Sequence, residues 1–441
     1  MRTRPRARQR RGRRAGACGN PACAARVKRV LLILAALIAL VGGALAAFVL
    51  YRQHQGRDVR GSSTVEYVTT FAPPPLPKPV AAKIPWPTYG LVPERTRDAA
   101  GLGLRPPYRR LWTYHAGSLI EFPPAIGYRR LYFATNAGNF YAVNAETGKR
   151  AWRFRSHRCV AAAPAIHDAV VFEAFMNRPP CNASGGHGLD GEVIAFSVGF
   201  GKIRWRTRIG PTESSPLVAH GRVYVGDWRG KVYALDEQTG KIVWSFRTGG
   251  KVKGAAALSG NRLFVGSYDG HLYCLAADSG KQIWRASSQP RLGHGGRFYS
   301  TPAVAYGRVY VGATDGKMYS FGAHSGTLRW SHHTGGYVYA SPAVWKGLVL
   351  AGSYDKSFYA FDAATGDIRW KFRANGPISG SGTVVDGVVY FATLRRKTYA
   401  VAAASGKLLW TYPDGKYTPA VADSHRLYLV GYGQVYGMAE R

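Results

Sequence analysis

A glycine followed four residues later by a tryptophan recurs along the chain at nearly constant spacing. The segment DEQTGKIVW (236–244) is one of seven copies, all with the same offset. The pairs are Gly148/Trp152, Gly201/Trp205, Gly240/Trp244, Gly280/Trp284, Gly326/Trp330, Gly366/Trp370 and Gly406/Trp410. Counted from an additional Trp112, successive tryptophans are separated by 40, 53, 39, 40, 46, 40 and 40 residues. A period near 40 indicates one supersecondary unit that the chain uses repeatedly.

Each unit divides into four short strands. In residues 341–372 the runs PAVWK and LVLAG are apolar, SFYAFD alternates, and DIRWKF follows the turn DAATG. The turn glycine supplies a positive φ where a Cβ would clash. The tryptophan lies on the outer strand, where its ring can lie across the neighbouring unit. Four short strands per unit are typical of a β-propeller rather than of a helical solenoid.

The two ends of the repeat region complement each other. The segment YRRLWTY (108–114) contains Trp112 but has no three strands before it. The carboxyl end supplies three strands, YTPAVAD, RLYLVG and QVYGMAER, and no fourth. We therefore predict, over residues 106–441, an all-β, eight-bladed propeller of four-stranded antiparallel blades whose last blade is shared between the termini. Closure in this way leaves no free sheet edge.

The amino-terminal part has a different composition. Residues 2–29 contain eleven basic residues and no acidic one, and residues 30–50 carry no charge. A helix of that length spans roughly 30 Å, the thickness of the hydrocarbon core of a bilayer. We predict a basic cytoplasmic tail (1–29), a single transmembrane anchor (30–50) in the plasma membrane and an exported remainder. A cleaved signal peptide is the alternative, because Ala44-Leu45-Ala46 resembles a cleavage site.

Residues 51–105 show no periodicity, and their run APPPLPKP (72–79) favours an extended Pro-rich linker that lifts the propeller off the membrane. The part after the tail contains 49 Lys and Arg against 24 Asp and Glu, a net charge of +25. This charge favours polyanions such as lipid head groups or an anionic wall polymer. A solvated arginine-rich surface explains it equally well. No nucleic acid is expected as a partner of an exported chain.

Several segments resemble a known family. The repeated LDEQTGKIVW pattern, the strand starts SPLV, TPAV and SPAV, and the opening WPTYG with RT (86–96) are similar to the pyrroloquinoline-quinone-type (PQQ-like) β-propeller repeats. The likeness covers roughly residues 85–441. The resemblance implies one of two functions, a dehydrogenase that uses PQQ and Ca²⁺, or a cofactor-free scaffold similar to the outer-membrane assembly lipoprotein of Gram-negative bacteria. This chain has neither the adjacent Cys-Cys pair nor the CxxCH motif of the enzymes, so it is closer to the scaffold branch.

Two units exceed the period through insertions, AFMNRPPCNASGGHGLDG (174–191) and SSQPRLGHGGRF (287–298). The turns between second and third strands and the connections between blades emerge at the same end of a propeller. Both insertions therefore belong to the end opposite the turns that hold the repeat glycines. Loops added at one end of a propeller commonly carry function. Cys159 and Cys181 belong to that end of one blade, and we predict a disulfide between them.

The same end carries the candidate residues for binding a ligand or a partner. They are Glu121, Glu213, Lys253, Tyr299, Tyr339, Trp228, Tyr268, Tyr354 and Arg395. Carboxylates, amines and aromatic rings around a channel mouth could hold a small ligand or a peptide, although ordinary turn residues would give the same pattern.

No P-loop, HExxH or GxSxG motif occurs in the sequence, and no catalytic or metal-binding residue is predicted. We therefore expect a monomeric, non-catalytic scaffold without a cofactor, whose partner is an envelope protein or an anionic wall polymer. The alternative is a PQQ-dependent oxidoreductase in which Glu121 or Glu213 helps to hold Ca²⁺.

Overall fold

The computed structural model describes residues 21–69, 83–181, 189–290, 295–417 and 420–441. One helix, α1 (Pro21–Gln55), belongs to a first unit, and the β-strands belong to a second unit that begins at Asp58. Most of the predicted basic tail and the Pro-rich run 72–79 lie outside the described residues.

Helix α1 is longer than the predicted span of 30–50, because it also includes Pro21–Arg29 and Tyr51–Gln55. Its apolar side chains are exposed, and Ala24–Gln55 is long and apolar enough to cross a membrane. A single apolar helix near the amino terminus suggests a membrane anchor or a signal sequence.

Strands fill the second unit and form eight sheets. Blade 1 contains β3 (Ala125–Gly127), β4 (Arg130–Ala134), β5 (Asn139–Asn144) and β6 (Arg150–Arg155). Blade 2 contains β7 (Ala165–His167), β8 (Val170–Phe175), β9 (Gly191–Ser197) and β10 (Ile203–Ile209). Blade 3 contains β11 (Leu217–Ala219), β12 (Arg222–Gly226), β13 (Lys231–Asp236) and β14 (Ile242–Arg247). Blade 4 contains β15 (Ala257–Ser259), β16 (Arg262–Gly266), β17 (His271–Ala276) and β18 (Gln282–Ser287).

The remaining blades repeat this order from the channel outward. Blade 5 contains β19 (Ala303–Ala305), β20 (Arg308–Gly312), β21 (Lys317–Gly322) and β22 (Leu328–His333). Blade 6 contains β23 (Ala343–Trp345), β24 (Leu348–Gly352), β25 (Ser357–Asp362) and β26 (Ile368–Arg373). Blade 7 contains β27 (Thr383–Val385), β28 (Val388–Thr393), β29 (Lys397–Ala402) and β30 (Leu408–Tyr412), with the short β1 (Asp98–Ala99) parallel to β27. Blade 8 contains β31 (Val421–Ala422), β32 (Leu427–Val430), β33 (Gln434–Glu440) and β2 (Tyr108–His115).

The eighth blade closes the ring as predicted. Strand β2 pairs antiparallel with β33, in a register that joins Tyr108 to Glu440 and His115 to Gln434. The prediction of an eight-bladed, four-stranded propeller closed by one shared blade is confirmed.

Each repeat glycine makes room for the tryptophan of the preceding blade. The seven glycines have φ between 66° and 79°, as the turn requires. A Cβ at Gly366 would lie 2.7 Å from an indole carbon of Trp330, and the other repeat glycines face Trp112, Trp152, Trp205, Trp244, Trp284 and Trp370 in the same way. The Trp330 indole also donates a hydrogen bond to the Ala363 carbonyl of the next blade at 2.9 Å. The repeat thus fastens neighbouring blades through both residues of the motif.

The first and last tryptophans depart from this arrangement. Trp112 packs on Gly148, but its indole nitrogen is buried and has no hydrogen-bond partner among the described residues. Trp410 packs edge-on against Tyr108 in the closing strand, with 5.5 Å between ring centroids. Both differences occur where the closing blade replaces an ordinary blade-to-blade contact.

The interpretation of residues 51–105 as one extended linker is wrong for two segments. Residues 58–68 contact blades 5 and 6, and residues 83–99 lie against the inner strands. Both segments therefore belong to the folded second unit rather than to a linker. Neither segment carries a periodic pattern, so these contacts could not be predicted from the repeat.

Residues 86–99, the channel segment, cross the inner strands at the end of the ring that carries the turns between third and fourth strands. Its backbone pairs with inner strands of blades 1, 2, 4, 5, 6 and 7, and one of these bonds joins the Val344 N–H to the Thr96 carbonyl at 2.9 Å. Arg95 is fully buried and donates to the Ala256 carbonyl at 2.9 Å. The channel is therefore closed at this end by the chain itself.

Candidate functional site

A small, partly open cavity lies above the channel segment, at the end of the ring that carries the insertions. Five of the nine predicted binding residues line it, namely Glu121, Glu213, Lys253, Tyr299 and Tyr339. Each of them lies shortly before an inner strand, which is why the repeat directs all five toward the central axis.

Three further predicted residues surround the cavity without lining it. The Lys253 ammonium lies 4.5 Å from the ring centroid of Trp228 and 5.6 Å from that of Tyr268. The Tyr354 ring lies 5.0 Å from that of Tyr339. Arg395, the ninth residue, instead packs over Gly376, where a Cβ would lie 2.7 Å from its Cγ. The structure does not bring Arg395 to the cavity wall.

The cavity wall contains one ion pair and a second carboxyl group. The Lys253 ammonium donates to the Glu213 carboxylate at 3.1 Å, and both side chains are largely buried. Burial raises the pKa of Glu213, although Lys253 opposes this shift. Burial and the nearby Glu213 charge together raise the pKa of Glu121 to about 7. The charge on this wall therefore changes around neutral pH.

The floor of the cavity is Tyr89, a residue that the sequence did not single out. Its hydroxyl lies 2.8 Å from Ser381 Oγ and 3.3 Å from Ser341 Oγ, and the Arg97 guanidinium lies 4.2 Å from its ring centroid. Burial acts to raise the pKa of Tyr89, but Arg97 and the two serine hydroxyls outweigh it and leave the pKa below its ordinary value. The WPTYG motif was the available sequence signal, because it holds a tyrosine next to a turn glycine.

Hydroxyl side chains at the strand starts join the blades around this floor. The backbone N–H of Thr301 donates to Ser341 Oγ at 2.9 Å, and that of Ser341 donates to Ser381 Oγ at 2.9 Å. Similar bonds join Ala163 to Ser215 and Ala255 to Thr301. The Ser or Thr of these strand starts therefore holds the cavity wall in place.

Tyrosines on the cavity wall and next to it form a continuous aromatic arc. Ring centroids are separated by 6.2 Å between Tyr268 and Tyr299, and by 4.9 Å between Tyr299 and Tyr339. Tyr337 continues the arc at 5.7 Å from Tyr339, and 52% of its surface is exposed. We call Tyr268, Tyr299, Tyr337, Tyr339 and Tyr354 the tyrosine arc.

The first insertion is held to the same end of the ring. Cys159 and Cys181 form the predicted disulfide, with 5.5 Å between their Cα atoms. Arg158 pairs with Asp190 at 2.9 Å and with Glu192 at 3.1 Å, which secures the return of the loop. Residues 182–188 of this insertion and 291–294 of the second lie outside the described residues.

The donor set of the cavity does not fit Ca²⁺. This ion takes six to eight oxygen ligands in proteins. In the part of the chain that the structure describes, no group of three or more His, Cys, Asp or Glu side chains could hold a metal. Glu213 already faces the Lys253 ammonium. The cavity lining thus supplies two carboxylates, Glu121 and Glu213, and one of them is already paired.

The chain is similar to proteins of two kinds. It is 28% identical over 162 residues to the outer membrane protein assembly factor BamB of Bordetella pertussis, covering 36% of this chain and 37% of that relative. It is 28% identical over 142 residues to the dehydrogenase subunit of a quinone alcohol dehydrogenase from Gluconacetobacter polyoxogenes, covering 27% of this chain and 18% of that relative. The chain therefore aligns with well under half of the length of these relatives.

Solved structures share the fold at low sequence identity. BamB from Moraxella catarrhalis has a TM-score of 0.62 at 17% identity, covering 76% of this chain and 100% of that structure. The quinohemoprotein alcohol dehydrogenase from Comamonas testosteroni has a TM-score of 0.68 at 15% identity, covering 81% of this chain and 80% of that structure. These likenesses support the propeller fold alone.

A family model covers most of the propeller. The model described as "Outer membrane protein assembly factor BamB" (PQQ_2) matches residues 109–178, 189–289, 228–339 and 338–437. These matches span more than half of the chain, and the resemblance to PQQ-like repeats is confirmed. The protein belongs to this BamB-like family of PQQ-like β-propellers.

Proposed function

We propose that this protein is a non-catalytic scaffold of the cell envelope that binds another envelope protein at the cavity end of its ring. In this proposal α1 is a retained anchor in the plasma membrane, with the amino terminus in the cytoplasm and a monomeric propeller outside it. Membership of the BamB-like family supports a scaffold role in envelope assembly. BamB of Bordetella pertussis is named as an outer membrane protein assembly factor.

The difference between the two ends of the ring carries the proposal. The channel segment closes one end with the chain's own residues. The other end presents the cavity, the tyrosine arc and the disulfide-held insertion. Tyrosine contributes strongly to protein interfaces, because it buries a large rigid ring at little conformational cost. The exposed end of the arc at Tyr337 is accessible to a partner.

The charges at the cavity favour a protein over an anionic polymer at this site. Among the described lining residues, Glu121 and Glu213 are the acids and Lys253 is the base, and Lys253 already pairs with Glu213, so the wall offers a polyanion little attraction. A peptide segment can place apolar and polar groups separately along the arc and the wall. We include no quinone or Ca²⁺ in the proposed function, because the donors around Glu213 do not fit the ion.

Affinity capture from intact envelopes tests this function. A double variant, Tyr337→Ala with Tyr354→Ala, removes two rings of the tyrosine arc. We expect at least a tenfold loss of captured partner, since a loss of about 1.4 kcal/mol in binding gives that factor. Quantitative mass spectrometry of the captured proteins measures it.

The matched control for this experiment is Phe200→Ala. Phe200 is 81% exposed and lies in a turn between third and fourth strands, at the opposite end of the ring. Capture by this variant should equal capture by the unmodified protein. Equal losses from both variants, or no loss from the double variant at an unchanged melting temperature, would contradict binding at the cavity end.

A further inference from the structure

We propose that the outer strands of blades 1 and 2 bind a linear, phosphate-bearing polymer of the cell envelope. Residues 149–155 (KRAWRFR) and 202–208 (KIRWRTR), which we call the two basic segments, each start directly after a repeat glycine and run along an outer strand. Each segment contains four Lys and Arg and no acidic residue. The inference rests on the export of the propeller in the proposed function, and it concerns a surface away from the cavity.

The first basic segment presents exposed arginines without a carboxylate partner. Arg153 and Arg155 are exposed, and neither forms an ion pair among the described residues. They are two residues apart on one face of β6, so their Cα atoms are about 7 Å apart. Arg150, at the start of the strand, hydrogen-bonds with Tyr114 of the closing strand rather than with an acid. Like charges at this spacing repel each other unless an anion lies between them.

The second basic segment has more guanidinium groups than carboxylates around it. Glu192 is shared by Arg206, at 3.2 Å, and the buried Arg158, at 3.1 Å. Arg158 also pairs with Asp190 at 2.9 Å. Arg204 is exposed and forms no ion pair in the part of the chain that the structure describes. These two carboxylates are therefore already engaged, and positive charge remains on the strand.

Blade 6 shows the same repeat positions in a neutralised form. Its segment DIRWKFR (367–373) has basic residues at three of the positions that are basic in KIRWRTR. There Arg369 pairs with Asp362 at 2.7 Å, and the Lys371 ammonium lies 3.8 Å from the Asp355 carboxylate. The excess of positive charge is therefore a property of blades 1 and 2 and not of the repeat.

The two basic segments lie on neighbouring blades and have aromatic rings between them. Trp152 packs on Gly201, and its indole donates to the Val198 carbonyl of blade 2 at 3.0 Å. The ring centroid of Phe154 lies 4.9 Å from that of Phe196 in blade 2. Both Trp152 and Phe154 are half-buried, so they leave apolar surface for the carbon atoms between phosphates. Arginine suits the phosphates themselves, since its planar group binds two phosphate oxygens at once.

The direction of the arginines favours a flexible polymer over a flat membrane surface. Arg153 is opposite Tyr141, which packs against Tyr114 on the side of blade 8. Arg206 is opposite Ile194, which packs into the core shared with blade 1. Because opposite residues of a strand pair point to the same face, the two rows of arginines lie on the flanks of their blades. A polymer can follow both rows, which run about 20 Å along the strands, whereas a flat surface meets only their outermost atoms.

Arginine footprinting tests the inference in the full-length protein, held in nanodiscs of phosphatidylcholine. Poly(glycerol phosphate) is the probe, phenylglyoxal modifies the accessible arginines, and mass spectrometry reads each position. We expect the polymer to slow modification several-fold at Arg153, Arg155 and Arg204. Arg285 is the matched control, because it is exposed and directly follows its tryptophan, while strand β18 contains no other basic residue. No protection at the three positions, or equal protection at Arg285, would overturn the proposal.

Paired variants separate local charge from net charge. Arg153→Gln with Arg155→Gln should raise the polymer concentration that half-protects Arg204 by about fivefold, because two phosphate contacts are lost. Lys371→Gln with Arg373→Gln removes the same charge from blade 6 and should leave that concentration unchanged. Equal effects of the two double variants would contradict a site on blades 1 and 2.

Two further comparisons identify the source of a failure. Vesicles of phosphatidylglycerol present the same phosphate chemistry on a flat surface, and protection by vesicles but not by the polymer would overturn the polymer as the ligand. Tyr337→Ala with Tyr354→Ala should leave the footprint unchanged, so a failure of partner binding at the tyrosine arc is distinguishable from a failure here. Loss of the footprint in that variant would contradict a separate surface.

Discussion

Replacing Trp330 with alanine is expected to lower the free energy of unfolding by about 3–5 kcal/mol, the usual cost of removing a large buried aromatic side chain. Trp330 is fully buried between blades 5 and 6, where its ring packs against Gly366 and lies 5.9 Å from that of Phe361. Its removal leaves a cavity at the interface and deletes the hydrogen bond to Ala363. Denaturant titration monitored by circular dichroism measures the change.

The partner residue of this contact provides a sharper comparison. Gly366→Ala introduces a methyl group about 2.7 Å from the indole at a φ of 79°. Gly347→Ala in the same blade introduces one at a φ of 76° with nothing within 4 Å. Both variants suffer the same backbone strain, so the difference between them reports the indole contact. We expect Gly366→Ala to be more destabilising by about 1–3 kcal/mol, and equal effects would show that the glycine serves only the turn.

Removing the last strand is expected to have the largest effect of all. Truncation after Gly433 deletes β33, which lies between β2 and β32 in blade 8. Strand β2 then has no partner strand in that blade, and the edge of β32 is exposed. Open edges promote association between chains, so we expect aggregation and loss of the cooperative unfolding transition. Size-exclusion chromatography and thermal unfolding measure both effects.

Truncation after Glu440 is the matched control for this experiment. It removes only Arg441 and retains the whole β2–β33 register from Tyr108 to His115. This variant should remain monomeric with an unchanged melting temperature. A soluble, cooperatively folded protein after the longer truncation would show that blade 8 is not needed to close the ring.

The sequence predicted the ring because its fasteners are periodic. Gly366 and Trp330 belong to units 40 residues apart, and every unit must satisfy the same contact with its neighbour. Residues 58–68 and the channel segment were missed because each occurs once. Glu66 has no pattern around it, and the buried Arg308 that bonds to its carbonyl lies 242 residues away in the sequence.

The cavity was partly predictable for the same reason. Glu213 and Tyr299 occupy one position of the repeat, just before an inner strand, so their direction follows from the fold. Arg395 lies in a turn between strands, where the repeat does not fix the side chain, and the structure places it over Gly376. Tyr89 could not be predicted as the floor because nothing in the sequence indicated that the chain enters its own channel.

Photo-crosslinking in living cells tests the central claim, that partners bind at the open end of the ring and not at the end closed by the channel segment. A photoreactive amino acid replaces Tyr337 or Tyr432 at the cavity end, and Phe200 or Gln238 at the closed end, all of them exposed. We predict a discrete adduct with one envelope protein from positions 337 and 432 and none from 200 and 238. The same adduct from the closed end, or from all four positions alike, would contradict the account.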